Sequence, residues 1–313
     1  MNVNKVTQQI KQYAYDLGFC KVGIARAERL GDESERLKQW LDRDYHGTMK
    51  WMETKFDKRT DPQNIIPDAK SVVSVALNYY TDVRHSDESS VGKISRYAWG
   101  DDYHEVMIAR LEKLLVYIKS IESSVEGKVY VDTGPVMDKV WAQRAGIGWE
   151  GKHTNVITQE YGSWVFLGEI ILNLELAYDE PATDHCGSCT LCIEACPTQA
   201  IVEPYVLDSN RCISYLTIEH RGNIAKELGD KFENWVYGCD ICQDVCPWNE
   251  KFSTVSGMNE FEPREFNINP DLNGLLELSQ EAFSEKYRKS PMKRTKLSGL
   301  KRNAQIILSE VTH

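Results

Sequence analysis

The sequence has no long uninterrupted hydrophobic run. Its most apolar stretch, residues 164–178, contains Glu169, Asn173 and Glu175, so no segment is expected to span a bilayer. The N-terminal residues MNVNKVTQQIKQY lack an apolar core behind basic residues, so we do not expect a secretory signal peptide. A cytoplasmic protein without membrane attachment is therefore expected. In that compartment, cysteines more often bind metals or catalyse reactions than form disulfides.

The composition excludes a disordered, collagen-like or small disulfide-scaffold chain. The 313 residues are 42% hydrophobic and 27% charged, as in a soluble globular protein of one large or two ordinary domains. Neither G-x-G-x-x-G after a predicted strand nor G-x4-G-K-[ST] occurs, so two common nucleotide-binding motifs are missing. The net charge of −10 argues against broad nucleic-acid binding.

Helical and strand patterns alternate along the N-terminal half. Residues 4–17 predict a helix and residues 71–78 a buried, Val-rich strand, and apolar residues at helical spacing follow the candidate N-cap Asp102. This alternation predicts an α/β (α+β) domain with a boundary near Pro181, followed by a cysteine-rich domain and a helical C-terminal segment. These three parts are residues 1–178, 179–250 and 251–313.

Eight of the nine cysteines lie between Cys186 and Cys246. The first run, C-x2-C-x2-C-x3-C-P, has the bacterial ferredoxin spacing, in which three cysteines bind one cluster and the fourth binds the other. The second run repeats the last three positions of the first but has Val236 where a further cysteine would stand, and Cys212 can fill that vacancy. Two [4Fe–4S] clusters then account for all eight: Cys186, Cys189, Cys192 and Cys246 for one, and Cys196, Cys212, Cys239 and Cys242 for the other.

A zinc site is the alternative for the cysteines, because two C-x2-C pairs can form a tetrahedral thiolate site. Zinc would leave four cysteines unexplained and gives no reason for the proline that ends each run. Cys20, in a predicted strand, is expected to be a small buried hydrophobe. Two clusters at ferredoxin spacing form an electron relay, so we expect the chemistry to lie in the α/β part.

Two segments of the α/β part are candidates for a ligand site. Asp132 follows a predicted strand in V-D-T-G-P, and ligands bind at strand ends in open α/β sheets, although turn formation is the commoner role for such a segment. Residues 144–155 combine three glycines with cationic and amide side chains, which would let the main chain approach a large ligand; a tight connection is the alternative. His104 and Lys139 are expected on a solvated helix face.

Positive charge is concentrated near the C-terminus. Between residues 286 and 302, eight of 17 residues are Lys or Arg and none is acidic, whereas the remaining 296 residues carry 29 basic against 47 acidic residues, or −18. Such segregation indicates contact with a phosphate backbone, with a solvated helix as the alternative. The candidate nucleic-acid-binding residues are Lys293, Arg294, Lys296, Lys301 and Arg302.

Taken together, these motifs resemble the epoxyqueuosine reductase family. The resemblance rests on R-Y-A-W-G-x-D-Y-H at residues 96–104, V-D-T-G-P, R-A-G-I-G-W-E-G-K, the two cysteine runs, R-C-I-S-Y-L and K-R-T-K-L-S-G-L-K-R-N-A, and it extends over nearly the whole chain. It implies a nitroreductase-like cobalamin-binding domain, a ferredoxin-like domain with two [4Fe–4S] clusters, and a short helical tail that contacts tRNA.

The resemblance also implies particular site residues. Cobalamin would bind without a protein ligand to cobalt, which agrees with the absence of the D-x-H-x-x-G motif from the sequence. His153 stands where the family often has asparagine, and the chain stops at His313 where many relatives continue into a helical-repeat extension, so a short form is expected. The implied cobalamin contacts are Arg59, Ser95, Asp132, Lys152, His153, Asn155 and Val156.

The implied reaction is reduction of the epoxide of epoxyqueuosine, in a tRNA anticodon loop, to the alkene of queuosine. An unidentified low-potential donor would supply electrons through the clusters, and Asp132, kept protonated by a dry site, would protonate the leaving oxygen. The alternatives are a dehalogenase-like corrinoid reductase of a small molecule and a non-enzymatic electron carrier. Nothing in the sequence demands a partner chain, so we expect a monomer.

Overall fold

The computed structural model of the protein describes residues 2–311. Its strands are β1 (Lys21–Arg26), β2 (Ser71–Asn78), β3 (Lys93–Ile94), β4 (Gly127–Tyr130), β5 (Trp149–Glu150), β6 (Val156–Ile157), β7 (Val165–Leu172), β8 (Ile201–Glu203), β9 (Val206–Leu207) and β10 (Trp235–Tyr237). Short strands and loops therefore make up much of the second half of the chain.

The α-helices range from single turns to α4 with five turns. They are α1 (Val3–Asp16), α2 (Asp32–Asp42), α3 (Phe56–Thr60), α4 (Tyr103–Ile121), α5 (Asp138–Arg144), α6 (Leu191–Glu194), α7 (Ile213–Ile218), α8 (Lys226–Gly229), α9 (Ile241–Asp244), α10 (Pro247–Phe252), α11 (Glu265–Ile268), α12 (Leu272–Glu277), α13 (Gln280–Lys286) and α14 (Lys296–Val311). Among the residues that the structure describes, no helix is both long and apolar enough to cross a membrane.

The main sheet has four strands in the order β1-β2-β7-β4, and every neighbouring pair is antiparallel. Helices α1 and α4 cover one face with a core that includes Ile10 and Leu111, and α5 covers the other face with a core that includes Trp141. Because both faces are covered, every residue of β2 is buried, which explains its continuous Val-rich sequence. The mixed helix and sheet fold is confirmed, and its antiparallel sheet makes it α+β.

The cysteine-rich region and the C-terminal segment share a second core. Strand β3, from the N-terminal part, pairs in parallel with β10, and Trp99 packs in the same core as Tyr237, Tyr287 and Leu300. The three parts predicted from the sequence are therefore joined by common packing. This shared core brings the cysteine loops and the basic segment close to the main sheet.

Several local predictions agree with the structure. The helix predicted over residues 4–17 corresponds to α1, and the strand predicted over residues 71–78 is β2. Asp102 caps α4, since its side chain accepts a hydrogen bond from the His104 N–H. Cys20 lies just before β1, and its thiol donates a hydrogen bond to the Ala76 carbonyl. Burial raises the pKa of this thiol to about 12, so Cys20 is an unreactive packing residue.

Candidate functional site

A cavity of about 1950 Å³ opens between the main sheet, the cysteine loops and the basic C-terminal segment. Sites for drug-sized ligands measure about 300–1,000 Å³, so this cavity has room for a much larger group or for two ligands. Asp132 from the β4 end, Cys212 from the cysteine-rich region and Arg294 from the basic segment all line it. Residues from all three predicted parts therefore meet at one site.

Asp132 lies at the centre of a tight turn that follows β4. The Thr133 N–H donates to the Val131 carbonyl at 2.5 Å, and the φ of Asp132 is 54°, in the left-handed region. Few residues besides Gly, Asn and Asp adopt this conformation, and non-glycine residues held in it cluster at functional sites. The turn directs the carboxylate into the cavity, where 65% of the side chain is exposed.

Two side chains from the first turn of α4 contact the Asp132 carboxylate. The Tyr103 hydroxyl donates to Oδ2 at 3.0 Å, and Nε2 of His104 lies 3.4 Å from the same oxygen. On the other side of the imidazole, Nδ1 lies 2.7 Å from Oδ1 of Asp102, the helix cap. The expectation of a solvated His104 was wrong, because the start of α4 faces the end of β4 across the cavity rim.

The protonation states of this group also differ from expectation. Burial would lower the pKa of His104, but its hydrogen bonds to Asp102 and Asp132 outweigh burial and raise the pKa to about 9. Burial would raise the pKa of Asp132, but hydrogen bonds from His104 and Tyr103 and the charges of His104 and Lys139 lower it overall. In the open cavity, therefore, Asp132 is ionised at neutral pH and the proton resides on His104, in contrast to the protonated Asp132 that was expected.

Buried polar atoms without protein partners face the same cavity. Arg59 is 9% exposed and its guanidinium reaches the carbonyls of Val136 and Trp51 only at 3.4 Å, while its Nε has no partner. The Nδ1 of His153 accepts from the Asn155 N–H at 3.1 Å, and its Nε2 has no partner. Burial lowers the pKa of His153 to about 4, so this imidazole is neutral and its Nε2 carries a hydrogen.

The loop that contains His153 is fastened to α5. Nζ of Lys139 donates to the Thr154 carbonyl at 2.7 Å and to Oδ1 of Asn155 at 3.2 Å, so Lys139, which is exposed on α5 as expected, also tethers the loop. Val156 and Ser95 also line the cavity, and the Ser95 hydroxyl donates to the buried Asp240. Of the seven residues predicted to contact a corrinoid, six border the cavity.

Lys152 is the exception. Its ammonium group is buried and donates to the carbonyls of Gly187 at 2.6 Å and Cys189 at 2.9 Å, in the first cysteine loop. The family resemblance placed Lys152 among the cofactor contacts as part of the loop of residues 152–156. In the structure, residues 152 and 153 form a turn, and the Lys152 side chain points to the first cysteine loop and does not line the cavity.

The eight clustered cysteines form two spatial groups. The pKa of the Cys192 thiol is raised by burial and by Cys246, Cys186 and Cys189, and that of Cys242 by burial, by Cys212 and Cys196, and to a smaller extent by Cys192 of the other group. The members of the second group, Cys196, Cys212, Cys239 and Cys242, line the cavity, whereas the first group lies beyond them beside Trp149 and Trp248. One cysteine group therefore adjoins the cavity and the other lies farther from it.

The predicted nucleic-acid residues have different surroundings. Lys293 and Arg294 are exposed at the cavity mouth, and the Arg294 guanidinium lies 5.0 Å from the ring centre of Trp51, which is itself 43% exposed. Arg294 also forms an ion pair with Glu219 at 2.7 Å. Lys296 is exposed and Lys301 half-buried, and neither lines the cavity.

Arg302 is used in hydrogen bonds within the protein. Its guanidinium donates to the carbonyls of Leu216 and His220, both at 2.7 Å, and of Gly222 at 3.0 Å. These bonds fasten α14 to the end of α7. Lys293 and Arg294, together with Trp51, which sequence reasoning missed, are therefore the stronger candidates for contact with a ligand at the cavity mouth.

Comparison with known proteins gives consistent matches. The family model for "Epoxyqueuosine reductase QueG, DUF1730" matches residues 59–133, and the model for a 4Fe-4S double cluster binding domain matches residues 185–249. An epoxyqueuosine reductase from Cellulophaga algicola is 47% identical over 308 residues, which cover 97% of this chain and 98% of that relative.

Solved structures of the same family match this chain as well. A crystal structure of epoxyqueuosine reductase with a tRNA-Tyr epoxyqueuosine-modified stem loop has a TM-score of 0.93 at 36% identity and covers 99% of this chain and 82% of that one. The Bacillus subtilis epoxyqueuosine reductase, with its catalytic aspartate loop swung out of the active site, has a TM-score of 0.92 at 34% identity over 99% and 82%. A catabolic reductive dehalogenase, at 15% identity and a TM-score of 0.50, shares the fold alone.

The match to the 4Fe-4S double cluster binding domain favours iron–sulfur clusters over zinc for the eight clustered cysteines. The sequence identity extends over both the Asp132 region and the cysteine loops, so the similarity is not confined to one module. On this identity and coverage, the chain belongs to the epoxyqueuosine reductase family.

Proposed function

We propose that this protein reduces the epoxide of epoxyqueuosine in a tRNA anticodon loop to the alkene of queuosine, using cobalamin and two [4Fe–4S] clusters. One observation carries the proposal: a single cavity is bordered by Asp132 with its donors, by four cysteines, and by a basic and aromatic rim. The reaction consumes two electrons and two protons, removes the oxygen as water and leaves a carbon–carbon double bond. The four cysteines suit electron supply, Asp132 with its donors suits proton supply, and the basic and aromatic rim suits RNA contact.

The residues round the cavity fit a corrinoid. A large ligand rich in amide and phosphate oxygens would supply acceptors for the unpartnered Nε of Arg59 and Nε2 of His153, and the loop held by Lys139 would border it. Ser95, Asn155 and Val156 complete this wall. When bound, cobalamin supplies a strongly reducing cobalt centre. The protein contributes the enclosure and the proton-donating groups.

Asp132 and His104 would handle the protons. The imidazolium of His104 stores one proton 3.4 Å from Asp132, and its side chain is 25% exposed, so water can replace the proton after it is used. Asp132 passes a proton from His104 to the epoxide oxygen, and Tyr103 keeps the carboxylate in place. Filling of the cavity by ligands excludes water from Asp132 and raises its proton affinity at the moment of transfer.

The two cysteine groups set the direction of electron flow. When bound, [4Fe–4S] clusters supply one-electron transfers. Cys186, Cys189 and Cys192 lie in or beside an exposed loop, where an external low-potential donor can approach, whereas Cys212 and Cys242 border the cavity. Electrons would therefore enter at the first group and leave at the second.

The rim at Trp51 and Arg294 would receive the RNA. Lys293 and Arg294 offer charge to phosphates, and the exposed face of Trp51 offers a stacking surface for an unpaired base, a contact worth about 1–3 kcal/mol per base. A small-molecule reductase has no use for such a rim. A tRNA substrate also places the reaction in the cytoplasm, and the chain is expected to act as a monomer.

Product analysis tests the proposal. Protein reconstituted anaerobically with iron, sulfide and cobalamin is given an artificial reductant and an anticodon stem-loop that carries epoxyqueuosine, and the nucleosides are analysed by mass spectrometry. We expect conversion to queuosine with loss of one oxygen atom, and a raised KM with little change in kcat for Trp51→Ala. Turnover of an aryl halide with no action on the stem-loop would instead support the dehalogenase-like alternative.

A further inference from the structure

A fully buried carboxyl group lies next to the Asp132 turn and has no part in the proton path described above. Glu169 is on β7, an inner strand of the main sheet, and is paired across the sheet with Tyr130, two residues before Asp132. Its side chain is 0% exposed. Oε1 accepts from the Ser74 hydroxyl at 3.3 Å, and Oε2 has no conventional donor.

A second carboxyl group completes the arrangement. Asp138 is the first residue of α5, and its Oδ1, like Oε2 of Glu169, is buried without a donor. Each of the two carboxyl groups influences the pKa of the other, so they lie next to each other. Two ionised carboxylates are both acceptors, so a hydrogen bond between them requires one proton. Burial raises the pKa of both groups, in agreement with that requirement.

The pair is connected to the turn that presents Asp132. The main-chain N–H of Asp132 faces the Asp138 carboxylate, so the two ends of the segment 132–138 are linked to each other and, through Glu169, to the sheet. Among the described residues, the other charged groups that face the pair are the Asp132 carboxylate and the Arg59 guanidinium. A second negative charge on the pair would repel Asp132 directly.

We propose that Asp138 and Glu169 share one proton, and that this shared proton holds the segment 132–138 against β7 with Asp132 in the cavity. Both are positioning residues: Glu169 is fully buried, and Asp138, which lines the cavity, would act through the turn that carries Asp132. Loss of the proton at alkaline pH would place two negative charges in contact in the core and release the segment. The sharing itself does not depend on the proposed reaction; only its consequence for turnover rests on that function.

Infrared difference spectroscopy of the holoprotein tests the shared proton without any substrate. Wild type at neutral pH is expected to show the carbonyl stretch of a buried protonated carboxyl, and Glu169→Gln is expected to lack it, because the amide replaces the donor and Asp138 stays ionised. The matched control Ser74→Ala removes the hydroxyl next to Glu169 and should keep the band. Persistence of the band in Glu169→Gln would overturn the proposal.

Hydrogen–deuterium exchange of the segment 132–138 tests the positioning. After correction for intrinsic rates, exchange should rise in wild type as the pair loses its proton, stay slow in Glu169→Gln, and be about tenfold faster in Glu169→Leu at every pH. Recovery of slow exchange by Gln but not by Leu would support proton sharing over simple filling of space. Equal exchange in wild type and Glu169→Gln at alkaline pH would overturn the proposal, whatever the activity of either protein.

Discussion

At the residue scale, the acidity of the site depends on four side chains acting together. Asp132 accepts hydrogen bonds from Tyr103 and His104, and Asp102 holds the far side of the imidazole. Because both nitrogens of His104 face carboxylates, the charged imidazolium is the favoured state at neutral pH. The site is thus a carboxylate with an adjacent proton store, and each member can be tested separately.

Asp132→Asn is the variant that best isolates the role of the carboxylate. Asparagine tolerates a positive φ, so the strained turn is retained, but its amide cannot transfer a proton. We expect kcat to fall by about 10²–10⁴-fold while cobalamin and iron contents stay unchanged. Single-turnover conversion of the modified stem-loop measures the effect. Wild-type rates in this variant would exclude Asp132 from the proton transfer.

His104→Gln tests the proton store. The pKa of His104 is raised to about 9, so the store is full at neutral pH and empties as the pH rises through that value. Wild-type kcat should therefore decline above about pH 9, and the variant should be about 10²-fold slower at neutral pH and lack that decline. A pH profile measured with saturating stem-loop gives both results. An identical alkaline decline in the variant would assign it to another group.

At the element scale, the loop between β5 and β6 serves two sites with neighbouring residues. Lys152 binds the carbonyls of the first cysteine loop, whereas His153 and Asn155 border the cavity. Since this loop belongs to the main-sheet part of the chain, Lys152 also joins that part to the cysteine-rich region. Its buried positive charge lies near the cysteine group that is farther from the cavity.

Lys152→Met should weaken the first cysteine group selectively. The change removes two hydrogen bonds from a charged donor, each worth about 1.5–3 kcal/mol, together with a positive charge near that cluster. We expect faster loss of about half of the iron to a chelator and a lower reduction potential for one cluster, measured by electron paramagnetic resonance during a redox titration.

Lys139→Met is the matched control for this substitution. It also removes an ammonium group bound to a main-chain carbonyl, but that carbonyl belongs to Thr154 on the cavity side of the loop. The control should therefore keep its iron and bind cobalamin more weakly. Equal iron loss in both variants would show that Lys152 stabilises the fold in general rather than the first cysteine loop.

Elements were predicted well from the sequence where local signals decide them. Helix α4 begins where Asp102 can cap it, and β2 matches the buried Val-rich run. The role of His104 could not be predicted, because it depends on the end of β4 facing the start of α4. Lys152 was assigned to the cavity because the family resemblance covers its loop as a whole and does not reveal which way each side chain points.

At the scale of the whole molecule, the fold separates an acidic body from a basic rim and places the cavity between them. The grouping of the eight cysteines could be proposed from spacing alone, since ferredoxin-like runs exchange their last ligand. Which of the two cysteine groups borders the cavity could not be predicted from the sequence, because it depends on the pairing of β3 with β10 and on the shared second core. Electron entry, proton supply and RNA contact are thereby assigned to different sides of one cavity.

The central claim is that one chain assembles two clusters and one corrinoid round this cavity, and metal analysis of the anaerobically reconstituted protein tests it most directly. We predict about eight iron atoms and one cobalt atom per chain, as two cubanes and one corrinoid require. Replacement of Cys212 by serine should lower the iron content and leave the cysteine group that contains Cys186 intact. About four iron atoms in the wild-type protein, or no retained cobalt, would contradict the account.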